Sequence, residues 1–294
     1  MLKTTIIFKQ EKNFELKGDF YPASHTSRPV IVYIHGGGLL WGSREDMKSE
    51  QIELYHQAGF NIFSIDYRLA PESKLPAIKE DIVDALHWVE NEGAKQFDYD
   101  PEKIAVVGSS AGGFLALLTG TFTNKPKAIV SFYGYGDITG DWALKPSPHY
   151  SAMTSVPREL AKALVSNEII SVGPIEKRYA LYMYARQHGV WIEELSGLIP
   201  ILEKKELSKY CPLHHIDAEF PPTLLLHGTN DEDVPYEQSV LMAEGLRDNG
   251  VDGKLITIPE GKHQFDEDWQ DPIVQNAFKE VITFLTDKFN HTSA

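Results

Sequence analysis

Eight short runs of β-forming residues, most of them separated by helix-forming stretches, constrain the fold of this sequence more than any other feature. Several runs are continuous and rich in Val and Ile, the pattern of strands buried on both faces of a parallel sheet. The alternation predicts a mostly parallel, doubly wound α/β sheet with an antiparallel hairpin at one edge and a last helix at about 271–289. The predicted strands lie at 3–8, 13–22, 29–38, 60–66, 103–109, 127–134, 222–228 and 253–259.

One segment interrupts this alternation. Residues 137–215 contain helical stretches and no convincing strand, which in an α/β sheet favours a cap over the strand ends where ligands bind. We therefore predict an α/β core in two parts, 1–136 and 216–294, with the cap segment 137–215 inserted between them. The aromatic stretch "YALYMYAR" (179–186) either lines a pocket or fixes the cap to the core.

Charge and composition narrow the range of partners. The net charge of −14 at pH 7 repels phosphate backbones and anionic lipids, so neither nucleic acid nor a membrane is an expected partner, and neutral or cationic substrates are favoured. The single cysteine, Cys211, excludes an internal disulfide, and no Cys/His pattern predicts a metal site. No apolar run is long enough for a signal peptide or a membrane span, so we expect a cytoplasmic protein.

A G-x-S-x-G pentapeptide follows the strand at 103–109 and precedes a helix-forming stretch. In "GSSAGG" only Ser110 occupies the centre of this pattern, because Ser109 lacks the flanking glycines. Such a strand–turn–helix context is typical of a nucleophile elbow, although a simple turn with a capping serine gives the same letters. A serine nucleophile needs a histidine base and an orienting acid, so the interpretation depends on finding both elsewhere.

Both partners follow later in the chain, each just after a predicted strand. The stretch "HGTNDEDVP" places Asp231 and Asp233 after the strand at 222–228, and either acid lies close enough to the strand end. The stretch "GKHQF" places His263 in the loop after the last strand, whereas His227 lies where the strand should bury it. The order of nucleophile, acid and histidine is that of α/β-hydrolases.

The glycine run "HGGG" (35–38) follows a buried strand and can supply backbone N–H donors to a developing oxyanion. We expect the N–H groups of Gly37, Gly38 and Ala111 to form the oxyanion hole, with His35 organising the loop. A flexible turn or a phosphate-binding loop is the alternative, but neither G-x-G-x-x-G nor G-K-[ST] is present. The bulky Leu39 and Trp41 directly after this loop predict a closed substrate pocket.

Together, "HGGG", "YRLAPE" (67–72), "GSSAGG", "HGTND" and "GKHQF" resemble the hormone-sensitive-lipase-like carboxylesterases of the α/β-hydrolase superfamily. The resemblance implies the α/β-hydrolase fold, with Ser110 as nucleophile and His263 as base. Relatives carry the acid in a pattern D-x-x-V-P, which selects Asp231 and leaves Asp233 as a solvated loop acid. The chain departs from typical members in having strands where they have an N-terminal helical cap, and "DEDVP" where they have Asp-Pro-Leu.

These observations predict a serine carboxylesterase that hydrolyses small, short-chain esters through an acyl-enzyme and needs neither a cofactor nor a metal. The expected partner is a small-molecule ester, and the sequence leaves the oligomeric state open. An amide hydrolase with the same triad is the first alternative. A non-catalytic receptor on a hydrolase scaffold is the second, but such scaffolds usually lose a triad member and here all three are present.

Overall fold

The computed structural model describes residues 2–24 and 28–290. All eight predicted strands are present in one sheet with the order β1-β2-β4-β3-β5-β6-β7-β8. The β1–β2 and β2–β4 pairs are antiparallel, and every other neighbouring pair is parallel, which confirms the predicted mostly parallel sheet with an antiparallel edge. The strands are β1 (Thr4–Gln10), β2 (Glu15–Tyr21), β3 (Val30–Ile34), β4 (Asn61–Ile65), β5 (Ile104–Ser109), β6 (Ala128–Phe132), β7 (Thr223–Gly228) and β8 (Gly253–Ile258).

The described residues also form twelve α-helices, six of which lie between β6 and β7, within the predicted cap segment. No strand interrupts these six helices in the described chain. The helices are α1 (Ser49–Gln57), α2 (Leu75–Trp88), α3 (Ala94–Phe97), α4 (Ala111–Thr119), α5 (Asp141–Leu144), α6 (Pro148–Ser151), α7 (Arg158–Ala163), α8 (Ile175–His188), α9 (Trp191–Ser196), α10 (Lys204–Ser208), α11 (Glu237–Asp248) and α12 (Pro272–Asn290).

The sheet has a hydrophobic core on each face because successive strand residues point in opposite directions. In β3, Val32 joins the core formed with α2 and α4, and Tyr33 joins the core formed with α1 and α12. Helix α12 packs on the sheet through Ala277 and Phe278, whereas Ile273 in its first turn is 45% exposed. Helices on both faces leave the ends of the sheet free for loops.

A buried ion pair joins the cap segment to the core. Arg178 of α8 donates to both carboxylate oxygens of Glu72 (2.9 and 2.7 Å) and to the carbonyl of Ala70 (2.6 Å). Both charged side chains are almost fully buried. The "YRLAPE" stretch that ends at Glu72 therefore fixes helix α8 above the sheet.

No helix within residues 2–24 and 28–290 combines the length and the apolar character needed to cross a membrane.

Candidate active site

Ser110 occupies the sharp turn between β5 and α4, with backbone angles of φ 55° and ψ −120°. Positive φ is unusual for a residue other than glycine, and the neighbouring glycines explain how the turn is accommodated. A Cβ at Gly108 would lie 2.2 Å from the carbonyl oxygen of Gly112, and a Cβ at Gly112 would lie 2.0 Å from that of Ile34. The two glycines let strand and helix approach closely enough to hold the serine at the strand end.

The two adjacent serines have different partners. Ser110 Oγ lies 3.0 Å from His263 Nε2. Ser109 Oγ instead lies 3.3 Å from the hydroxyl of Tyr33. Only Ser110 is therefore placed to transfer its proton to a histidine.

His263 and Asp231 complete a continuous hydrogen-bonded path from Ser110. His263 Nδ1 donates to Asp231 Oδ2 (2.7 Å), and the backbone N–H groups of Asp233 and Val234 donate to Asp231 Oδ1 (2.9 Å each). The Asp231 side chain is fully buried, whereas that of His263 is 19% exposed. The structure thus brings together the three residues singled out from the sequence.

The electrostatics of the two partners match this arrangement. Burial alone raises the pKa of Asp231, but hydrogen bonds from His227 and His263 outweigh it and hold the pKa well below its ordinary value. Burial lowers the pKa of His263, but the hydrogen bond to Asp231 and nearby negative charges raise it above its ordinary value. Asp231 stays ionised and favours the imidazolium that forms when His263 takes a proton.

His227 is a member of this network that the sequence analysis set aside as a buried strand residue. It is buried, but its Nε2 lies 3.1 Å from Asp231 Oδ2 and 3.0 Å from the carbonyl oxygen of Val234. Since both neighbours are acceptors, Nε2 carries the hydrogen, and Nδ1 accepts from the hydroxyl of Ser239 (2.7 Å). Its position four residues before Asp231 at the end of β7 is the signal that points to this role.

The glycine run after β3 lies directly beside the nucleophile. A Cβ at Gly36 would be 3.3 Å from Ser110 Cβ, and Gly37 and Gly38 have φ angles of 102° and 60° that favour glycine. Trp191 Nε1 donates to the Gly38 carbonyl (3.1 Å), which helps to fix the loop. Within the described residues, the N–H groups of Gly37, Gly38 and Ala111 donate no hydrogen bond, so they are available to an oxyanion.

His35 and Tyr67 hold the start of this loop. The Tyr67 hydroxyl donates to the carbonyls of His35 (3.0 Å) and Gly36 (3.2 Å), and its ring stacks on that of His35. His35 is fully buried, and burial lowers its pKa. This placement fits the organising role expected for His35.

The prediction that Leu39 lines the pocket is wrong. Leu39 is fully buried in the core, because the turn after Gly38 directs it away from the cleft, whereas Trp41 lines the cleft as predicted. The cleft around Ser110 has a volume of about 1150 Å³, above the usual range for small-molecule pockets. The site is accordingly more open than the closed pocket expected from the sequence.

Asp233 is not the solvated loop acid expected from the sequence. Its side chain is only 14% exposed, and Oδ2 lies 3.8 Å from His263 Nε2. The hydroxyl of Tyr182, in helix α8, donates to Oδ1 (2.7 Å). Sequence spacing gave no sign of this contact because Tyr182 lies 51 residues away in the cap segment.

One group of potential metal ligands occurs among the described residues, formed by Asp137, Cys211 and His214. The Cys211 thiol donates to Asp137 Oδ1 (3.4 Å), which also accepts from the N–H and hydroxyl of Thr139. Burial raises the pKa of the Cys211 thiol to about 12. In this arrangement the thiol and the carboxylate are hydrogen-bond partners of each other.

Comparison with known proteins identifies relatives over most of the chain. A family model described as BD-FAE matches residues 19–246. The non-reducing polyketide synthase trt4 of Aspergillus terreus is 30% identical over 89% of this chain, and ausA of Penicillium brasilianum is 28% identical over 89%. This chain spans only 13% of the length of each of these synthases.

Solved structures share the fold over nearly the whole chain. A Staphylococcus aureus protein of unknown function has a TM-score of 0.80 and 25% identity, covering 98% of this chain and 99% of its own. An α/β hydrolase superfamily protein from Enterococcus faecalis has a TM-score of 0.77 and 23% identity, covering 97% and 99%. Thermogutta terrifontis esterase 2, phosphoramylated by tabun, has a TM-score of 0.68 and 23% identity, covering 97% and 94%. The α/β-hydrolase fold predicted from the sequence is confirmed.

Proposed function

The chain belongs to the BD-FAE family and has the α/β-hydrolase fold, and on this basis we propose that it is a serine carboxylesterase acting on small, short-chain esters. The observation that carries the proposal is the hydrogen-bonded path from Ser110 Oγ through both ring nitrogens of His263 to Asp231. A neighbour in fold is described as an esterase, which favours an ester over an amide as the substrate.

In the proposed reaction, Ser110 Oγ attacks the ester carbonyl carbon while His263 Nε2 takes the hydroxyl proton. The carbonyl oxygen becomes negative and accepts hydrogen bonds from the N–H groups of Gly37, Gly38 and Ala111. His263 then returns the proton to the leaving alcohol oxygen as the bond from carbon to that oxygen breaks. Water, deprotonated by His263, attacks the acyl-enzyme and releases the carboxylic acid and free Ser110.

Asp231 serves both halves of this cycle. Its hydrogen bond to His263 Nδ1 keeps Nε2 free to accept a proton, and its charge stabilises the imidazolium. His227 and two backbone N–H groups hold the carboxylate in place, so it need not reorient during catalysis.

The preference for short acyl chains is supported by the aromatic side chains next to the glycine loop. Trp41 packs edge-on against Tyr182 (5.1 Å between ring centres) and Tyr179 (6.0 Å). A Cβ at Gly38 would lie 2.8 Å from the Tyr182 ring, so this ring closely covers the loop. Trp41 and Tyr179 line the cleft beside the glycine loop, and a short acyl group fits against them without displacing the rings.

The test is hydrolysis of p-nitrophenyl esters of graded acyl length, with a p-nitroanilide of the preferred acyl group as the amide control. We expect the highest kcat/KM for acetyl to butyryl esters and no activity in the Ser110→Ala variant. An optimum at long chains would contradict the short-chain proposal. Faster cleavage of the anilide than of the ester would instead support the amide hydrolase.

A further inference from the structure

Asp233 directs one carboxylate oxygen toward the catalytic centre. Oδ1 accepts a hydrogen bond from the Tyr182 hydroxyl, and Oδ2 lies 3.8 Å from His263 Nε2. The Tyr150 hydroxyl is a further neighbour of this carboxylate. The residue lines the same cleft as Ser110. In the proposed reaction, Nε2 is the atom that protonates the leaving alcohol, so Oδ2 faces the place where that alcohol departs.

A cluster of aromatic and charged side chains holds Asp233 in this position. Arg186, from α8, donates to the backbone carbonyl of Asp233 (2.9 Å), and its guanidinium lies 3.7 Å from Oδ1. Arg186 is itself buried among the rings of Trp142, Tyr150, Tyr182 and Trp191. The positive charge is thus beside Oδ1, and Oδ2 is the oxygen left for a ligand.

The rest of the cleft also favours a positive ligand. Its charged lining contains two lysines, one of which, Lys48, already pairs with Glu267 (3.0 Å). The carboxylates outnumber the lysines. They are Glu45, Asp46, Glu176, Glu232, Asp233, Asp266 and Glu267.

We propose that Asp233 binds a cationic nitrogen on the leaving alcohol, which makes esters of protonated amino alcohols the preferred substrates. The proposal rests on the serine carboxylesterase function proposed above and names the alcohol side of its substrate. Asp233 acts here as a specificity residue, because it binds the part of the substrate that departs and takes no part in forming or breaking the ester bond.

The short distance from Nε2 to Oδ2 favours a short alcohol. The leaving oxygen must come within hydrogen-bond reach of His263 Nε2, and the N–H of an ammonium must come within similar reach of Asp233 Oδ2. Because Nε2 and Oδ2 are only 3.8 Å apart, two carbon atoms between the ester oxygen and the nitrogen let both contacts form at once. A 2-aminoethyl type of ester therefore fits the site.

A pair of substrates with almost the same shape tests the charge alone. 2-(Dimethylamino)ethyl acetate carries a protonated nitrogen, and 3-methylbutyl acetate has a carbon with two methyl groups at the same place. We expect wild-type kcat/KM to be about tenfold or more higher for the amine, the effect of a charged hydrogen bond. The Asp233→Asn variant should lose most of this ratio, and taking the ratio within each variant cancels any general loss of activity.

The neighbouring acid provides the matched control. Glu232 lines the same cleft and is 63% exposed, so Glu232→Gln removes the same charge without removing the proposed contact. It should keep most of the ratio, and Asp233→Glu should keep part of it. A second measurement uses only the wild type: the ratio should fall as the pH rises through the pKa of the substrate amine.

A wild-type ratio near one, a ratio that Asp233→Asn leaves unchanged, or an equal loss in Glu232→Gln would each overturn the proposal. Hydrolysis of p-nitrophenyl acetate separates these outcomes from failure of the carboxylesterase function. If the enzyme cleaves p-nitrophenyl acetate but does not prefer the amine, the proposed function stands and the role proposed for Asp233 is wrong. If the enzyme cleaves no ester, both the carboxylesterase function and the role proposed for Asp233 are wrong.

Discussion

The catalytic end of the sheet and the cap segment place their functional side chains in different ways. At the sheet end, Ser110, Asp231 and His263 each come directly after a strand or its following turn, and the parallel sheet brings these loops to one edge. In the cap segment, Tyr182 and Arg186 lie within helix α8, far from any strand end, and reach the site only because that helix is held over it. The triad belongs to the first region. The second region adds aromatic side chains such as Tyr150 and Tyr179 to the cleft, whereas most of the charged side chains of the cleft come from loops of the core.

This difference predicts two kinds of mutational effect. Changes at the sheet end should abolish the reaction with little loss of stability. Changes in the cap segment should alter stability, substrate choice or pH dependence while the triad keeps its geometry. The predictions below run from the largest expected effect to the smallest.

Ser110→Ala should have the largest effect, a loss of about 10⁵-fold or more in kcat, because among the described residues only the Ser110 hydroxyl is hydrogen-bonded to His263. Ser109→Ala is the matched control and should stay within about tenfold of wild type, since Ser109 contacts Tyr33 instead. The measurement is p-nitrophenyl acetate hydrolysis by purified variants. Equal losses in the two variants would contradict the assignment of the nucleophile.

Asp231→Asn should lower kcat by about 10⁴-fold, because the amide favours the wrong tautomer of His263 and does not stabilise the imidazolium. The fold should persist, since the amide oxygen can still accept from the N–H groups of Asp233 and Val234. Circular dichroism checks the fold, and steady-state kinetics checks the rate. A variant that keeps more than a tenth of wild-type activity would show that another acid orients His263.

Ser110 and Asp231 illustrate what the sequence predicts well. The eight strands follow from local runs of β-forming residues, and the positions of Ser110, Asp231 and His263 follow from strand ends in a parallel sheet. Such features depend on short stretches of chain. Leu39 was misplaced because a positive φ (63°), which the sequence does not reveal at a leucine, turns it into the core.

Long-range contacts explain the remaining misses. The surroundings of Asp233 depend on Tyr182 and Arg186, whose positions require the path of helix α8 over the sheet. The "YRLAPE" stretch is visible as a motif, yet its ion pair with Arg178 joins residues 106 apart in the chain. Local propensity carries no information about such pairings.

Arg178→Met tests how far the cap segment depends on its ion pair with the core. Removing one partner of a buried pair leaves the Glu72 carboxylate without its ion-pair partner, with the N–H of Ser166 as a remaining donor, and we expect the first unfolding transition in urea to lose about 3–5 kcal/mol. The exposed pair of Lys145 and Asp141 is the control, and Lys145→Met should change stability by less than about 1 kcal/mol. Equal small losses in both variants would show that α8 is held mainly by apolar packing.

Substitutions of His227 test how much its hydrogen bond to Asp231 contributes to catalysis. His227→Phe removes the Nε2 donor to Asp231 and should lower kcat by about 10- to 100-fold, the effect of losing one hydrogen bond to a charged group. His227→Gln, whose amide can donate in place of Nε2, should recover part of this loss. Activity of His227→Phe equal to that of wild type would mean that the backbone N–H groups alone hold Asp231.

The smallest expected effect is a change in the pH dependence of the reaction. It depends on the charged groups around His263, where the loops at the sheet end meet helix α8. Burial lowers the pKa of His263, whereas the hydrogen bond to Asp231 and the charges of Asp233, Asp231 and Asp266 raise it, and the net effect is a pKa above the ordinary 6.5. The Tyr133 ring packs against the imidazole, and its hydroxyl donates to Asp266. Arg186, beside Asp233 Oδ1, partly offsets the negative charge.

His263 must be neutral to accept the proton of Ser110, so kcat/KM should fall as the pH drops through the raised pKa of His263. Asp233→Asn removes one of the charges that raise this pKa, and the acid limb of the profile should therefore move to lower pH. The measurement is kcat/KM for p-nitrophenyl acetate from pH 5 to 9. Glu232→Gln, more distant and more exposed, should leave the limb in place. A limb that stays fixed or moves to higher pH in Asp233→Asn would mean that Asp233 does not act on His263 through its charge. The cap segment, which holds Asp233 through Tyr182 and Arg186, would then affect the triad only through packing.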